Sequence, residues 1–300
     1  MHDPASSAAF PPPPTPSPTP APPPSRDPSA PGAPDPTVVA TLRAAGCVFA
    51  EEEALLLAEA AATPAELTAL AARRAAGLPL EQVVGWAEFH GLRISVAPGV
   101  FVPRRRTELL VAEAVRAAPP RPVVVDLCCG SGAIAAALAT ALRPAALHAA
   151  DIDPAAVACA RRNLAPLGGL VHEGDLFTAL PPALRGRVDV LAANVPYVPT
   201  RSLPLLPTEA RDHEPPAALD GGTDGLDVLR RVSAAAPGWL APGGRLLVET
   251  SEHQADRAAA ILAADGLAPR VVHAEETAAT VVTGTRPAAG IRRPVARTSH

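Results

Sequence analysis

From about residue 106 to 286, short apolar runs alternate with longer segments whose apolar residues recur at helical spacing. Segments such as "TELLVAEAVRAA" carry Ala, Leu and Val three and four positions apart, which predicts amphipathic helices. Between them lie runs of strand length, such as "PVVVDLCCG" and "VDVLAANVPY". Strands that alternate with helices pair in parallel, so residues 106–286 are predicted to form one α/β domain with a doubly wound, mostly parallel sheet.

The segments on either side of this domain have other patterns. Residues 37–85 are rich in Ala, Leu and Glu, which predicts two or three short helices with too small a core to be stable alone. Residues 86–105 alternate apolar and polar positions around Gly91, which predicts a β-hairpin linker. Residues 1–36 hold 15 of the 38 prolines and are predicted to be a disordered tail, as are residues 287–300.

The composition limits the partners and the cellular compartment that are expected for this protein. The net charge of −4 implies no strongly basic face, so nucleic acid is an unexpected partner. No apolar run reaches the roughly 18 residues of a membrane helix, and no secretory signal is visible, which favours a cytoplasmic protein without a membrane partner. The four cysteines are Cys47, Cys128, Cys129 and Cys159. Their spacing is not that of a metal site, so reduced thiols and no bound metal are expected.

The first predicted strand of the α/β domain runs into a glycine-containing turn. Asp126 ends the strand, Gly130 and Gly132 follow, and a helix begins. Glycines let the backbone approach a ligand, and a helix N-terminus offers free N–H groups. A dinucleotide dehydrogenase would carry GxGxxG, which this turn lacks. An acid before the glycines favours S-adenosylmethionine (SAM), with Asp126 accepting from the ligand's amino group directly or through water.

The next two strands also end in carboxylates. Asp151 closes the second strand, where an acidic side chain accepts hydrogen bonds from two ribose hydroxyls. The third strand ends in Gly174-Asp175-Leu176. There Asp175 is predicted to accept from an adenine amino group while Leu176 packs on the ring. Taken together, the acidic residues at the three strand ends predict one site that binds a nucleoside.

The fourth strand ends in "NVPY", which contains Tyr197, the only tyrosine of the chain. The nitrogen lone pair of a planar NH2 group is delocalised, so methylation of that group needs an orienting clamp. Two acceptors that hold its N–H bonds supply the orientation, and the Asn194 side-chain oxygen and the Val195 carbonyl are suited to it. Pro196 is expected to stiffen the turn and Tyr197 to pack against the planar group.

Several segments together resemble the release-factor glutamine methyltransferases. They include "VFVPRRRTELLV", the glycine turn, "NVPYVP", "EARDHEPPAALDGGTDGLDVLRR" and "APGGRLLVET", and the similarity runs from about residue 73 to 286. The resemblance implies a Rossmann-like class I SAM-dependent methyltransferase fold, SAM as methyl donor and the side-chain amide of a protein glutamine as acceptor. In the best-known members this glutamine lies in the Gly-Gly-Gln tip of peptide chain release factors. A release factor is therefore the expected protein partner, and the chain is expected to act as a monomer.

The resemblance also carries roles onto individual residues. It implies that Asn194 to Tyr197 hold the acceptor amide and that the SAM site is lined by Asp126, Cys128, Cys129, Gly130, Ser131, Gly132, Asp151, Leu176 and Asn194.

This chain departs from the family pattern at a few positions. Val195 replaces the first proline of Asn-Pro-Pro-Tyr, and Cys128 and Cys129 replace Gly-Thr in the SAM turn. Cys128 is expected to fit the turn only with a negative φ. Arg106 replaces an acid near the expected substrate entrance, and the N-terminal helical segment is shorter than the family's docking domain.

Two further hypotheses remain open from the sequence. The same acceptor motif serves methylation of an exocyclic base amine in nucleic acid, although the chain lacks an evident basic patch. The departures at Cys128, Val195 and Arg106 also fit a SAM-binding interaction protein without catalysis. The segment "RDHEPPAALDGGTDG" is either a lid or substrate-facing loop, or a solvated connection.

Overall fold

The computed structural model describes residues 33–288, and this range begins with helices and one hairpin. The elements are α1 (Pro36–Ala44), α2 (Ala50–Ala60), α3 (Pro64–Ala75), α4 (Leu80–Val84), β1 (Trp86–Phe89) and β2 (Leu92–Ser95). The first three helices agree with the prediction, and α4 is an additional short one. Residues 1–32 and 289–300, which make up most of the two predicted tails, lie outside the described residues.

Two predicted boundaries in this region are wrong. Helix α1 begins at Pro36, inside the predicted tail, because the Asp35 carboxylate caps it by accepting from the Thr37 N–H at 2.8 Å. A proline at the first helical position sacrifices no helical hydrogen bond. The hairpin ends at Ser95, and residues 96–104 contain no strand, since Pro98-Gly99 turns the chain.

The main body is a seven-stranded sheet with the order β5-β4-β3-β6-β7-β9-β8. Its strands are β3 (Val123–Leu127), β4 (Ala146–Asp151), β5 (Leu170–Glu173), β6 (Val188–Ala193), β7 (Leu240–Thr250), β8 (Ala268–Ala274) and β9 (Ala279–Thr285). Strands β3 to β7 pair in parallel, whereas β9 pairs antiparallel with β7 and β8. This is the predicted doubly wound, mostly parallel sheet.

Helices cover both faces of the sheet. They are α5 (Glu108–Ala117), α6 (Ala133–Leu142), α7 (Pro154–Leu164), α8 (Thr208–His213), α9 (Pro216–Leu219), α10 (Asp227–Ala235) and α11 (Ala255–Ala264). Val124 of β3 packs with residues of α5, α6 and α7, and its neighbour Val125 packs with residues of α10 and α11. Successive strand residues point to opposite faces, so the apolar run in β3 fills two separate core layers.

One predicted helix is shorter than its sequence pattern indicated. The pattern favoured a helix through "GLDVLRRVSAAAPGWL", but α10 ends at Ala235. Pro237 has no N–H to continue the helix, and β7 already begins at Leu240. Among the described residues, no helix is long and apolar enough to cross a membrane.

The N-terminal helices pack against a segment that we call the lid, residues 200–219, which contains α8 and α9. The guanidinium of Arg74 in α3 holds Glu53 of α2 with two nitrogens and Glu209 of α8 with the third, at 2.6 Å. Gln82 of α4 donates to the carbonyl of His213 at 3.3 Å. The small helical segment therefore gains its tertiary support from the α/β domain.

The edge of the sheet contains a stacked histidine pair that predicts pH-dependent stability. His148 Nδ1 and His172 Nε2 lie 3.0 Å apart, and burial lowers the pKa of both rings below the usual 6.5. The neutral rings therefore stabilise the fold above pH 6.5, and this contribution is lost as the pH falls through the lowered pKa values. Urea unfolding from pH 7.5 to 5 should show this loss, and His172→Gln should weaken it.

Candidate active site

A cavity of about 510 Å³ opens at the carboxyl ends of the parallel strands, beside the point where the strand order reverses between β3 and β6. Ligands of doubly wound sheets bind at this position. Of the predicted site residues, only Asp126 and Gly132 do not line the cavity. Those that line it are Cys128, Cys129, Gly130, Ser131, Asp151, Asp175, Leu176, Asn194, Val195, Pro196 and Tyr197.

Asp151 organises the glycine turn at one end of the cavity. One carboxylate oxygen accepts from the Gly130 N–H at 2.8 Å, and the other accepts from the Asp153 N–H at 3.0 Å. Burial raises the pKa of the Asp151 carboxyl. A β-carbon on Gly130 would meet only the Phe101 side chain, at 4.0 Å, so the backbone is open to the cavity there. The predicted ribose contact of Asp151 is compatible with this position and stays a prediction.

Asp126 and Gly132 lie behind the residues that line the cavity. Asp126 is fully buried, with one carboxylate oxygen accepting from the Ala135 N–H at 3.1 Å and the other without a partner in the described range. Burial raises the pKa of Asp126 to about 8. A β-carbon on Gly132 would lie 3.2 Å from Ala160 and Leu164, so glycine allows α6 and α7 to pack closely. Both residues are buried and lie outside the cavity lining, and the predicted ligand contact of Asp126 stays a prediction.

The expected negative φ at Cys128 is wrong, since the residue has a φ of +54°. Cys128 follows β3 and lies two residues before Gly130, whose N–H donates to Asp151. A residue with a β-carbon in this conformation costs about 1–2 kcal/mol. Cys128 therefore stores strain in the turn.

Cys128→Gly should stabilise the protein by about 0.5–1 kcal/mol, because relief of the strain exceeds the entropic cost of a new glycine. Urea unfolding measures this change in the free energy of unfolding. Cys129→Gly is the matched control, since Cys129 does not have a positive φ and the substitution should destabilise. Equal effects of the two substitutions would contradict the strain at Cys128.

At the far side of the turn, Asp175 and Leu176 line the cavity after β5. Leu176 has a φ of +48°, which turns the chain there. The Asp175 carboxylate forms an ion pair with Arg231 of α10, another cavity residue that the sequence analysis missed. Asp175 is about half exposed, so its second oxygen is accessible. The predicted adenine contacts of these two residues are compatible with the geometry and stay predictions.

The opposite end of the cavity is formed by the acceptor loop, residues 194–197. The side-chain amide of Asn194 has no hydrogen-bond partner among residues 33–288, although the residue is partly buried and lines the cavity. Val195 is 3% exposed and packs into the main core, which anchors the loop where the family has a proline. The Asn194 amide is therefore free to bind a ligand in the cavity.

The hydroxyl of Tyr197 belongs to a closed set of three hydrogen bonds. It donates to Glu249 Oε1 at 2.9 Å and accepts from Arg106 Nη2 at 2.8 Å. Arg106 Nε donates to the same Glu249 oxygen at 2.9 Å. Burial and the Glu249 charge raise the pKa of Tyr197, so the phenol stays neutral. Arg106, which replaces an acid of the family pattern, thus reaches the acceptor loop itself.

The segment "RDHEPPAALDGGTDG" is neither simply a lid nor a solvated connection. Its first part belongs to the lid, and Glu214 and Leu219 line the cavity. Its second part supports the acceptor loop, because the Gly221 N–H donates to the Val198 carbonyl at 2.9 Å. A β-carbon on Gly225 would overlap the Tyr197 carbonyl oxygen, so glycine is required there.

Sequence reasoning missed Glu249, Gln254 and Arg231. Glu249 could have been found, because it lies near the carboxyl end of β7, the strand next to β6. The same argument identified Asp126, Asp151 and Asn194. Gln254 and Arg231 have no such signal, since Gln254 lies in the helical turn after β7 and Arg231 lies within α10.

Comparison with known proteins shows that the sequence is similar to methyltransferases. The family model "Methyltransferase small domain" matches residues 91–202. A release factor glutamine methyltransferase of Geobacter sulfurreducens is 46% identical over 198 residues, which cover 64% of this chain and 69% of that protein. The chain spans about two thirds of the length of the curated relatives it matches.

Two other similarities are informative. A 4-amino-L-phenylalanine/4-methylamino-L-phenylalanine methyltransferase of Streptomyces pristinaespiralis is 38% identical over 201 residues, covering 65% of this chain and 68% of that protein. A methyltransferase of Pyrococcus furiosus with a solved structure has a TM-score of 0.51 at 15% identity. It covers 66% of this chain and 90% of that one, and supports the fold alone.

Proposed function

Because the chain belongs to the release factor glutamine methyltransferase family, we propose that it is a SAM-dependent methyltransferase that methylates the side-chain amide nitrogen of a protein glutamine, with a release factor as its substrate. The observation that carries this proposal is the acceptor loop. Its Asn194 amide, which has no hydrogen-bond partner among residues 33–288, lines the same cavity as the carboxylates of Asp151 and Asp175.

The residues at the other end of the cavity fit SAM. Asp151 offers a partly buried carboxylate to ribose hydroxyls, and the unpartnered oxygen of Asp126 offers a hydrogen-bonding group behind the glycine turn. The open face of Gly130 admits a ligand against the backbone. When bound, SAM supplies an electrophilic methyl group on a sulfonium. These residues hold and orient it at one end of the cavity.

The acceptor loop supplies the remaining requirement, a clamp for the amide. In the proposed complex, the Asn194 side-chain oxygen and the Val195 carbonyl each accept one N–H of the glutamine amide. This orientation directs the nitrogen lone pair to the methyl group and favours the positive charge that develops on nitrogen. The Tyr197 ring packs on the planar amide. Because the Val195 contact uses a backbone carbonyl, valine in place of proline preserves it.

The relative from Streptomyces pristinaespiralis favours one alternative acceptor. Its name describes methylation of the aromatic amine of a free amino acid, and this chain covers 68% of that relative. An aromatic NH2 is planar and conjugated like an amide, so the same two acceptors can hold it. The cavity also has aromatic lining from Phe89, Phe101 and Tyr197.

Incubation with labelled SAM and a panel of acceptors tests the proposal. The panel contains a release factor, its Gly-Gly-Gln variant with alanine for glutamine, 4-amino-L-phenylalanine, and single- and double-stranded nucleic acid. Label on the glutamine of the intact release factor, lost in the alanine variant, is the expected result. Label on the amino acid or the nucleic acid would assign another acceptor, and no SAM binding by calorimetry would exclude the whole proposal.

A further inference from the structure

We propose that Glu249 is a positioning residue that holds Tyr197 of the acceptor loop in place, with Arg106 as its counter-charge. The inference rests on the proposed function and deepens it, since it assigns a role to a residue that neither contacts the cavity nor belongs to the acceptor motif. Four observations carry it.

The first observation is burial. Glu249 is 2% exposed, and its Oε2 has no hydrogen-bond partner in the described part of the chain. A buried carboxylate of this kind is costly unless it is compensated by a charge and hydrogen bonds. An apolar residue would fill the same strand position without this cost. A role beyond packing is therefore required to explain the acid.

The second observation is the geometry around Oε1. This single oxygen accepts from the Tyr197 hydroxyl and from Arg106 Nε, both at 2.9 Å, while Arg106 Nη2 donates to the same hydroxyl at 2.8 Å. Each of the three groups contacts the other two, so the phenol oxygen has one position. A ring fixed at this oxygen and at its backbone cannot rotate away from the cavity.

The third observation is that hydrogen bonds also fix the backbone of Tyr197. Gln254, 8% exposed, donates from its amide nitrogen to the Tyr197 carbonyl and to the Asp224 carbonyl, each at 3.0 Å. Its oxygen accepts from the Ser251 hydroxyl at 2.6 Å, which orients the amide. The corner between β7 and α11 thus holds both ends of Tyr197.

The fourth observation is the position of Arg106. Its side chain is 45% exposed and lines the cavity, so it joins the buried Glu249 to the solvent side of the acceptor loop. The acceptor group and the methyl group must align closely, and small displacements of positioning residues reduce the rate strongly. Glu249 and Arg106 thus act on the reaction through the Tyr197 ring.

Glu249→Gln tests the inference, with Glu113→Gln as the matched control. Glu113 is also a buried carboxylate, paired with Arg116 and Arg270, but it does not contact the acceptor loop. Glu249→Gln should lower kcat about tenfold, the effect of weakening one hydrogen bond to a charged group, with SAM affinity within about twofold of wild type. Glu113→Gln should leave both within about twofold.

Tyr197→Phe removes only the hydroxyl that Glu249 holds. This variant still tests the inference if Glu249→Gln fails to fold. It should lower kcat to a similar extent, and the double variant should be no worse than the poorer single variant. Multiplied losses in the double variant, an unchanged kcat in Tyr197→Phe, or equal effects of Glu249→Gln and Glu113→Gln would overturn the inference.

A spectroscopic readout separates this inference from the proposed function. Tyr197 is the only tyrosine, so protein grown with tyrosine labelled with 13C at Cζ gives one resonance that reports the hydroxyl environment. Glu249→Gln should shift it and Glu113→Gln should not. If wild type methylates no glutamine but the shift occurs, the proposed function fails and the positioning stands. If neither variant shifts the resonance, the positioning fails whatever the substrate.

Discussion

Asn194→Ala should lower the rate of methyl transfer by about 10²–10³, the loss measured when one preorganised polar group is removed from a reacting centre. The structure supplies the reason, since the Asn194 amide has no hydrogen-bond partner among residues 33–288 and lines the cavity. Its loss removes one of the two acceptors for the substrate N–H bonds. Single-turnover rates with labelled SAM and the release factor measure the effect.

The fold should tolerate this substitution, which makes the result specific. The Asn194 side chain makes no hydrogen bond among residues 33–288, and the loop is anchored by Val195 in the core and by Gln254 at Tyr197. Calorimetry should therefore still detect SAM binding by Asn194→Ala. If methyl transfer continues at the wild-type rate while SAM binds, the amide clamp is not the mechanism.

Arg74→Met should destabilise the protein by about 3–5 kcal/mol, because it leaves a buried carboxylate without its counter-charge. The side chains of Arg74 and Glu53 are only 10% and 11% exposed, and their closest contact is 2.6 Å. Burial by itself lowers the pKa of Arg74, but the hydrogen bonds to Glu53 and Glu209 raise it by more. The net pKa therefore lies above its usual value, and the guanidinium stays charged. Urea unfolding measures the loss.

Arg43→Met is the matched control for this prediction. Arg43 pairs with Glu51 in the same helical segment, but the two side chains are 63% and 43% exposed. Exposed pairs contribute about 0–1 kcal/mol, so the control should change stability little. The double variant Arg74→Met with Glu53→Leu should recover much of the loss, since no buried charge remains. Equal losses in Arg74→Met and Arg43→Met would contradict the buried pair.

Arg74 also connects the N-terminal helices to the cavity. Its third contact is Glu209 of the lid, and Glu209 lines the cavity. The sequence predicted two or three short helices in this region, and the structure has these and the additional helix α4. The lid contact could not be predicted, because Arg74 and Glu209 are 135 residues apart and neither lies in a recognisable motif.

The sequence by itself determined the order of strands and helices along the chain, the cavity end of the sheet and the residues at the strand ends that line the cavity. These depend on local patterns, because apolar periodicity defines each element and parallel strands bring their carboxyl ends to one edge. Asp151, Asp175 and Asn194 could therefore be grouped without coordinates.

Only the tertiary structure decided how these residues are held. The backbone of Cys128 is left-handed, against the preference of a residue with a β-carbon. Asp126 lies behind the cavity wall, since its carboxylate caps the start of α6. Glu249 reaches Tyr197 across 52 residues of chain, through adjacent strands. Such contacts depend on the packing of distant elements, which no local pattern in the sequence encodes.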